Sequence, residues 1–408
     1  MNTRVRVLFA LVAVLATLGL GACGHYVCKA TFGASTCTPA GGGVGGGSGS
    51  GGGGGGTISA ANATALVYYM SGSSIQGAGI GGSTFAPLTG YTAPTISAGF
   101  ADVMLVTKKY VYIPAGNSNV EGFSIDRKSG ALTAIPGNPF TATGSGGTTD
   151  GAWSDPQGRF LFVGSEASGD IWVFRINATT GALTETAGSP FTTGVVAADI
   201  MTVDASGKFL YVGQLLSSAA VAAFSIDQTT GALTPIPGSP FNLGIAQVRA
   251  SLTGEFLLGV AAIQDDAGLT NTTDQHVFVY AINPVSGVPT PVTGSPFATT
   301  AAPFDVAISP NGKFVYTFGH VVGTTTITAI EGFQMAATGV LTKLSGSPFT
   351  SLPTTSECVF DQSGADLVCA DTNSGGKLFV LGASPTNGAL TNVATFSTSG
   401  GFPFGVTD

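Results

Sequence analysis

From residue 58 onward the chain alternates short apolar runs with polar turns. Phe304-Asp-Val-Ala-Ile-Ser309 predicts one strand, Pro310-Asn-Gly-Lys313 a turn, and Phe314-Val-Tyr-Thr-Phe318 a second strand. Aromatic and β-branched residues at strand spacing, bounded by Gly, Pro, Asn and Ser, carry this reading. Ile330-Glu-Gly-Phe-Gln-Met335 predicts a third strand. Ala337-Thr-Gly339 turns the chain into a fourth, and Gly346-Ser-Pro-Phe349 leads out. The same inner turn recurs as Pro156-Gln-Gly-Arg159 and Ala205-Ser-Gly-Lys208.

The pattern repeats. GALTAIPGNPF at 130–140, GALTETAGSPF at 181–191, GALTPIPGSPF at 231–241, GVPTPVTGSPF at 287–297 and GVLTKLSGSPF at 339–349 form a series. GALTNV at 388–393 is its last copy, and GGSTFAPLTG at 81–90 a weaker first one. The leading glycines are spaced by 51, 50, 56, 52 and 49 residues. Four antiparallel strands in a unit of this length predict a propeller blade, and the length from 58 to 408 divides into seven such units. Gly401-Phe-Pro-Phe-Gly-Val406 reads as a first strand with nothing after it. Ala65-Leu-Val-Tyr-Tyr-Met70 reads as a second strand with no first strand before it. The expected fold is therefore an all-β, seven-bladed β-propeller of four-stranded antiparallel blades, one blade closed by both termini, which leaves no open sheet edge.

The first 57 residues follow a different pattern. Arg4 and Arg6 precede an apolar run from Val7 to Leu18, too short to span a bilayer comfortably, and small residues lead into Cys23. Leu20-Gly21-Ala22-Cys23 resembles the bacterial lipobox. That resemblance implies a signal peptide over 1–22, cleavage before Cys23 and diacylation of its thiol. Gly24 resembles the sorting pattern for the outer membrane; the periplasmic and cell-surface faces stay open. A lipid-anchored segment, 23–40, carries Cys28 and Cys37, which would close a small loop if paired. Residues 41–57 are a glycine-rich flexible tether, and the propeller spans 58–408. Export to an oxidising compartment permits disulfides. Cys358 and Cys369 flank the turn at Ser363-Gly364 almost symmetrically; a disulfide and two free buried thiols are both open readings.

The repeated stretch F-S-I-D-x-x-[ST]-G-A-L-T-x-x-x-G-S-P-F, alternating with [SD]-P-x-G-[KR]-F-[LV]-Y-V, resembles the lactonase-type seven-bladed propellers. That family includes a bacterial 6-phosphogluconolactonase and fungal muconate cyclases. In those enzymes an inner strand begins with a Gly-Pro-Arg-His-like stretch, about seven residues before the turn glycine. Here Gln247, Asp305 and Glu357 hold those places, and Asp150, Asp199 and Asp102 hold closely similar ones. The His-Arg pattern is absent. An acid or amide at the head of six innermost strands is a candidate ligand-binding ring at the channel mouth. It is suited either to Ca²⁺ or Mg²⁺ or to a polyol, and the opposing reading is that these side chains accept bonds from loop amides. Arg249, two residues past Gln247 on the same strand face, is the best inward-pointing cation. Glu166 and His320, at matching positions after second strands, are further catalytic candidates, as are Asp305, Glu357 and Arg249. The insertion Ala262–His276, with Asp265, Asp266, Asn271 and Asp274, reads as a solvated loop.

Charge narrows the partners. All 22 acidic residues lie in the propeller against 11 of the 14 basic ones, a net −11 there. That is a poor surface for nucleic acid, and a scarcity of inward cations argues against a phosphorylated lactone. No zinc-type cysteine pair or nucleophile motif is present. Two classes of function remain. One is an envelope-anchored binding or scaffold module, expected to be monomeric, that meets a glycan, small molecule, metal or protein at the channel mouth. The absent His-Arg pattern and the long stalk favour it. The other, carried by resemblance, is a lactonase-like hydrolase with a divergent active site.

Overall fold

The computed structural model describes residues 56–97, 103–116, 118–144, 149–195, 198, 200–214, 220–261, 264–265, 268–269, 273–323, 329–355, 357–371, 376–398 and 404–407. The signal peptide, Cys23, Cys28, Cys37 and all but the end of the glycine tether lie outside these residues, as do Asp102 and Asp199.

Seven antiparallel four-stranded sheets form seven blades. Numbered along the chain, their innermost strands are Phe404–Thr407, Leu105–Val106, Gly151–Ser154, Met201–Val203, Gln247–Ala250, Ala302–Ile308 and Glu357–Phe360. Each innermost strand touches that of the next blade, and the cycle closes after seven steps. Blade 1 is built from both ends of the described chain. Phe404–Thr407 pairs antiparallel with Ala65–Ser71, placing Tyr69 opposite Phe404 and Leu66 opposite Thr407. In blades 2 to 5 the Asn-Pro-Phe or Ser-Pro-Phe segment adds a two-residue fifth strand against the third, for example Phe191–Thr192 against Asp170–Ile176.

The core is divided among the seams between blades. Seven apolar clusters each draw side chains from two neighbouring blades. In Phe256–Val260, Phe256, Leu258 and Val260 face blade 6 while Leu257 faces blade 4. Both faces of a blade are buried, so its second strand reads as a continuous apolar run rather than an alternating one. Each fully buried Val, Leu or Phe contributes about 1.5–3 kcal/mol relative to exposure.

The repeated residues lock these seams. The hydroxyl of Tyr211, on a second strand, donates to the Gly287 carbonyl in the outer turn of the next blade at 2.6 Å. Tyr68, Tyr112 and Tyr316 do the same to Gly130, Gly181 and Gly388. At Gly231, whose φ is +80°, a Cβ would sit 2.7 Å from the Phe160 ring, so the seam admits only glycine there. Within a blade, the serine of Gly-Ser-Pro-Phe accepts a third-strand amide, as in Val173 N–H to Ser189 Oγ and Ala223 N–H to Ser239 Oγ.

Two local readings are resolved. Cys358 and Cys369 lie directly opposite each other on the first two strands of blade 7 and are joined by a disulfide. The insertion before His276 contains a short hairpin, Gln264–Asp265 against Gly268–Leu269. Among the described residues no helix is long and apolar enough to cross a membrane.

Candidate functional site

The heads of the innermost strands of blades 5, 6 and 7 bring Gln247, Arg249, Asp305 and Glu357 into one cluster at the channel mouth. Gln247 and Arg249 lie two residues apart and share the strand face toward blade 6, while Val248 between them is fully buried in the seam with blade 4. Asp305 does not open its strand as expected; it is the fourth residue of Ala302–Ile308. The pairing register shifts between Pro303 and Asp305, which leaves Phe304 unpaired and re-aims the residue that follows.

Asp305, only 4% exposed, is the hub. Its Oδ1 accepts the Gln247 Nε2 amide at 2.8 Å and the Val306 backbone N–H at 2.8 Å. Arg249 Nη2 stands 3.4 Å from the same oxygen, a charge-assisted contact at the buried end of a partly exposed side chain. Arg249 Nη1 also donates to the Val248 carbonyl at 3.3 Å. The guanidinium carbon lies 5.7 Å from the centre of the Trp153 ring. Trp153 belongs to blade 3 and Arg249 to blade 5. Blade 4 stands between them, so this contact crosses the channel.

Glu357 closes the cluster from blade 7. Burial first, and then the negative charge of Asp305, push its carboxyl up against the opposing pull of the positive Arg249, to about 7 in balance. The residue as a whole is half-buried. A carboxyl poised near neutrality can take and return a proton. Gln247 Oε1 is buried with no hydrogen-bond partner.

The other candidates are placed differently. Asp150 Oδ2 accepts the Glu166 backbone N–H at 2.8 Å, the loop-amide role set against ligand binding in the sequence. His320 ends the second strand of blade 6 and is 2% exposed, its ring edge-on to Phe304 at 4.5 Å. Burial lowers its pKa, so it is held neutral, and its Nδ1 has no partner. Among the described residues no group of three or more His, Cys, Asp or Glu side chains is arranged to hold a metal ion.

Sequence reasoning missed Trp153. Its signal was modest: one of two tryptophans in the chain, at the third position of an innermost strand. It also missed Glu331, a 1%-exposed carboxylate on the third strand of blade 6. Its Oε1 accepts the Thr300 and Ala301 amides, and its Oε2 accepts Lys343 Nζ at 2.7 Å. Glu331 thus fastens the loop that enters the strand carrying Asp305.

A seven-bladed propeller with a polar channel mouth is the class that fold and site define. Residues 107–244 match the family model described as Lactonase, 7-bladed beta-propeller, so the resemblance read from the blade motifs holds. Solved structures of the same fold include a candidate 6-phosphogluconolactonase of Bacteroides fragilis, 16% identical, covering 84% of this chain and 98% of that one at a TM-score of 0.62. A second candidate 6-phosphogluconolactonase, from Bacteroides uniformis, is 15% identical over the same shares at 0.64. The periplasmic gluconolactonase of Pseudomonas aeruginosa is 17% identical, covering 84% and 98%, at 0.59. None of the curated proteins searched matches this chain by sequence.

Proposed function

We propose that this protein is an envelope-anchored propeller that binds a lactone at its channel mouth and opens it by hydrolysis. The observation that carries the reading is the convergence of Arg249, Asp305 and Glu357, with Glu357 held at about 7 beside a cation. The likeness to lactonase-type propellers supports the substrate class. Water attacks the acyl carbon and Glu357 takes its proton. The Arg249 guanidinium faces the oxyanion that forms. Collapse breaks the acyl–oxygen bond of the ring, and Glu357 returns its proton to the departing alkoxide, giving the hydroxy acid. Asp305 and Gln247 hold Arg249 and the ligand edge in place. Anchoring through an acylated Cys23 is the localisation part of the reading, supported by the lipobox-like segment.

The departure from the family's His-Arg pattern supports a second reading, a module that binds such a ligand without turning it over. Turnover of sugar and aromatic lactones by the full chain, measured above their spontaneous hydrolysis, separates the two. Under the hydrolytic reading Glu357→Gln lowers kcat by about 10²-fold or more. Binding with no turnover in the native chain leaves the binding module.

A further inference from the structure

The charges at the channel mouth discriminate between ligands, an inference that rests on the reading of this mouth as the ligand site. Arg249 is the cation of the cluster, and Asp305 already neutralises it at 3.4 Å. Lys109, Arg159, Lys208 and Lys313 lie at or beside the inner hairpin turns, at the far end of the innermost strands, and Arg159 is paired there with Asp155. Lys343 is committed to Glu331, and Lys377 stands on the third strand of blade 7, two strands out from that of Glu357. Glu357 adds a second negative charge once it ionises. The cluster is therefore neutral to negative, and a phosphate or carboxylate entering it meets like charge; among the described residues Arg249 is the one Lys or Arg on the innermost strands.

Its hydrogen-bonding groups ask for something else. Gln247 spends its amide N–H on Asp305, which leaves a buried Oε1 with no donor. A buried acceptor in that state favours a partner that brings an O–H or N–H. The half-buried Trp153 ring forms the opposite wall and offers an apolar surface beside the guanidinium. We propose that the channel mouth selects an uncharged, hydroxyl-bearing ring compound and discriminates against phosphorylated or carboxylated versions of the same skeleton.

Two matched pairs test this on the full chain. Binding is read with 1,5-anhydroglucitol against its 6-phosphate, and turnover with glucono-1,5-lactone against its 6-phosphate. Trp153 reports binding by its fluorescence, because the chain's other tryptophan, Trp172, is 2% exposed. The expected result is a preference of about tenfold or more for the neutral member of each pair. Asp305→Asn, which removes a negative charge and frees Arg249, narrows that ratio by about tenfold, and the ratio itself corrects for any loss of folded protein. Gln247→Met weakens the neutral probe by about fivefold or more. Equal or tighter binding of the phosphate overturns the selectivity, and lactone hydrolysis then stands or falls on turnover alone. Selective binding of the neutral probe without turnover supports the selectivity and removes the hydrolytic reading. No response to either probe at millimolar concentration overturns the selectivity.

Discussion

Glu357 titrates near neutrality because three influences meet on one carboxyl: burial, the charge of Asp305, and the opposing charge of Arg249. As a base it works in its ionised form, so kcat/KM for a lactone is expected to rise with pH through about 7 and then level off. Asp305→Asn removes a neighbour that raises the pKa, and the rising limb is expected to move down by roughly one unit. A limb that stays put in the pH–rate profile would mean that Asp305 and Glu357 do not sense each other in solution. At this scale the sequence was partly legible. Gln247, Asp305 and Glu357 were found by counting back from the turn glycines, and Arg249 by strand alternation from Gln247. The bulge at Phe304 was not visible, since a single extra residue leaves the hydrophobic pattern almost unchanged. Trp153 could be seen as a residue but not as a partner of Arg249, because that contact depends on ring closure across an intervening blade.

At the scale of strands and turns, the repeat is a set of seam locks, and its gaps are informative. Blades 1, 2, 4 and 6 place Tyr68, Tyr112, Tyr211 and Tyr316 against an outer-turn carbonyl of the next blade. Blade 3 has Phe162 at that position, fully buried in the seam with blade 4. Tyr211→Phe is expected to cost about 1–3 kcal/mol, since it strands the Gly287 carbonyl in an apolar seam. Phe162→Tyr is expected to recover about 1 kcal/mol if the seam accommodates the hydroxyl as its counterparts do. Denaturant unfolding of the two variants beside the parent checks both signs; stabilisation by Tyr211→Phe would contradict the lock. The sequence displayed these residues plainly as a motif. What it concealed was their direction: the motif glycine serves the preceding blade's tyrosine rather than its own sheet.

The whole molecule follows from spacing. About 50 residues per unit, seven units, and two orphan strands at the ends were enough to specify a ring closed on itself. The family resemblance added the blade type, and residues 107–244 match that family. Cluster formation at the mouth was less legible, because four different blades supply its members and no local pattern records their approach. Anchoring belongs to this scale as well. Cys23→Ser is expected to move the protein from the detergent-rich to the aqueous phase on partitioning and to abolish incorporation of labelled fatty acid. Retention of both properties by the variant would remove Cys23 as the anchor.

The pairing of Phe404–Thr407 with Ala65–Ser71 has a consequence for how the molecule is made. The strand that completes blade 1 follows all the other blades in chain order. At about 5–20 residues per second, the Ala65–Ser71 edge waits on the order of tens of seconds for its partner to be synthesised. Throughout that interval an apolar strand has an unsatisfied side, and a ribosome that stalls short of residue 404 releases a chain with an open seam. Quality control of this protein therefore turns on the arrival of that closing strand as much as on its core.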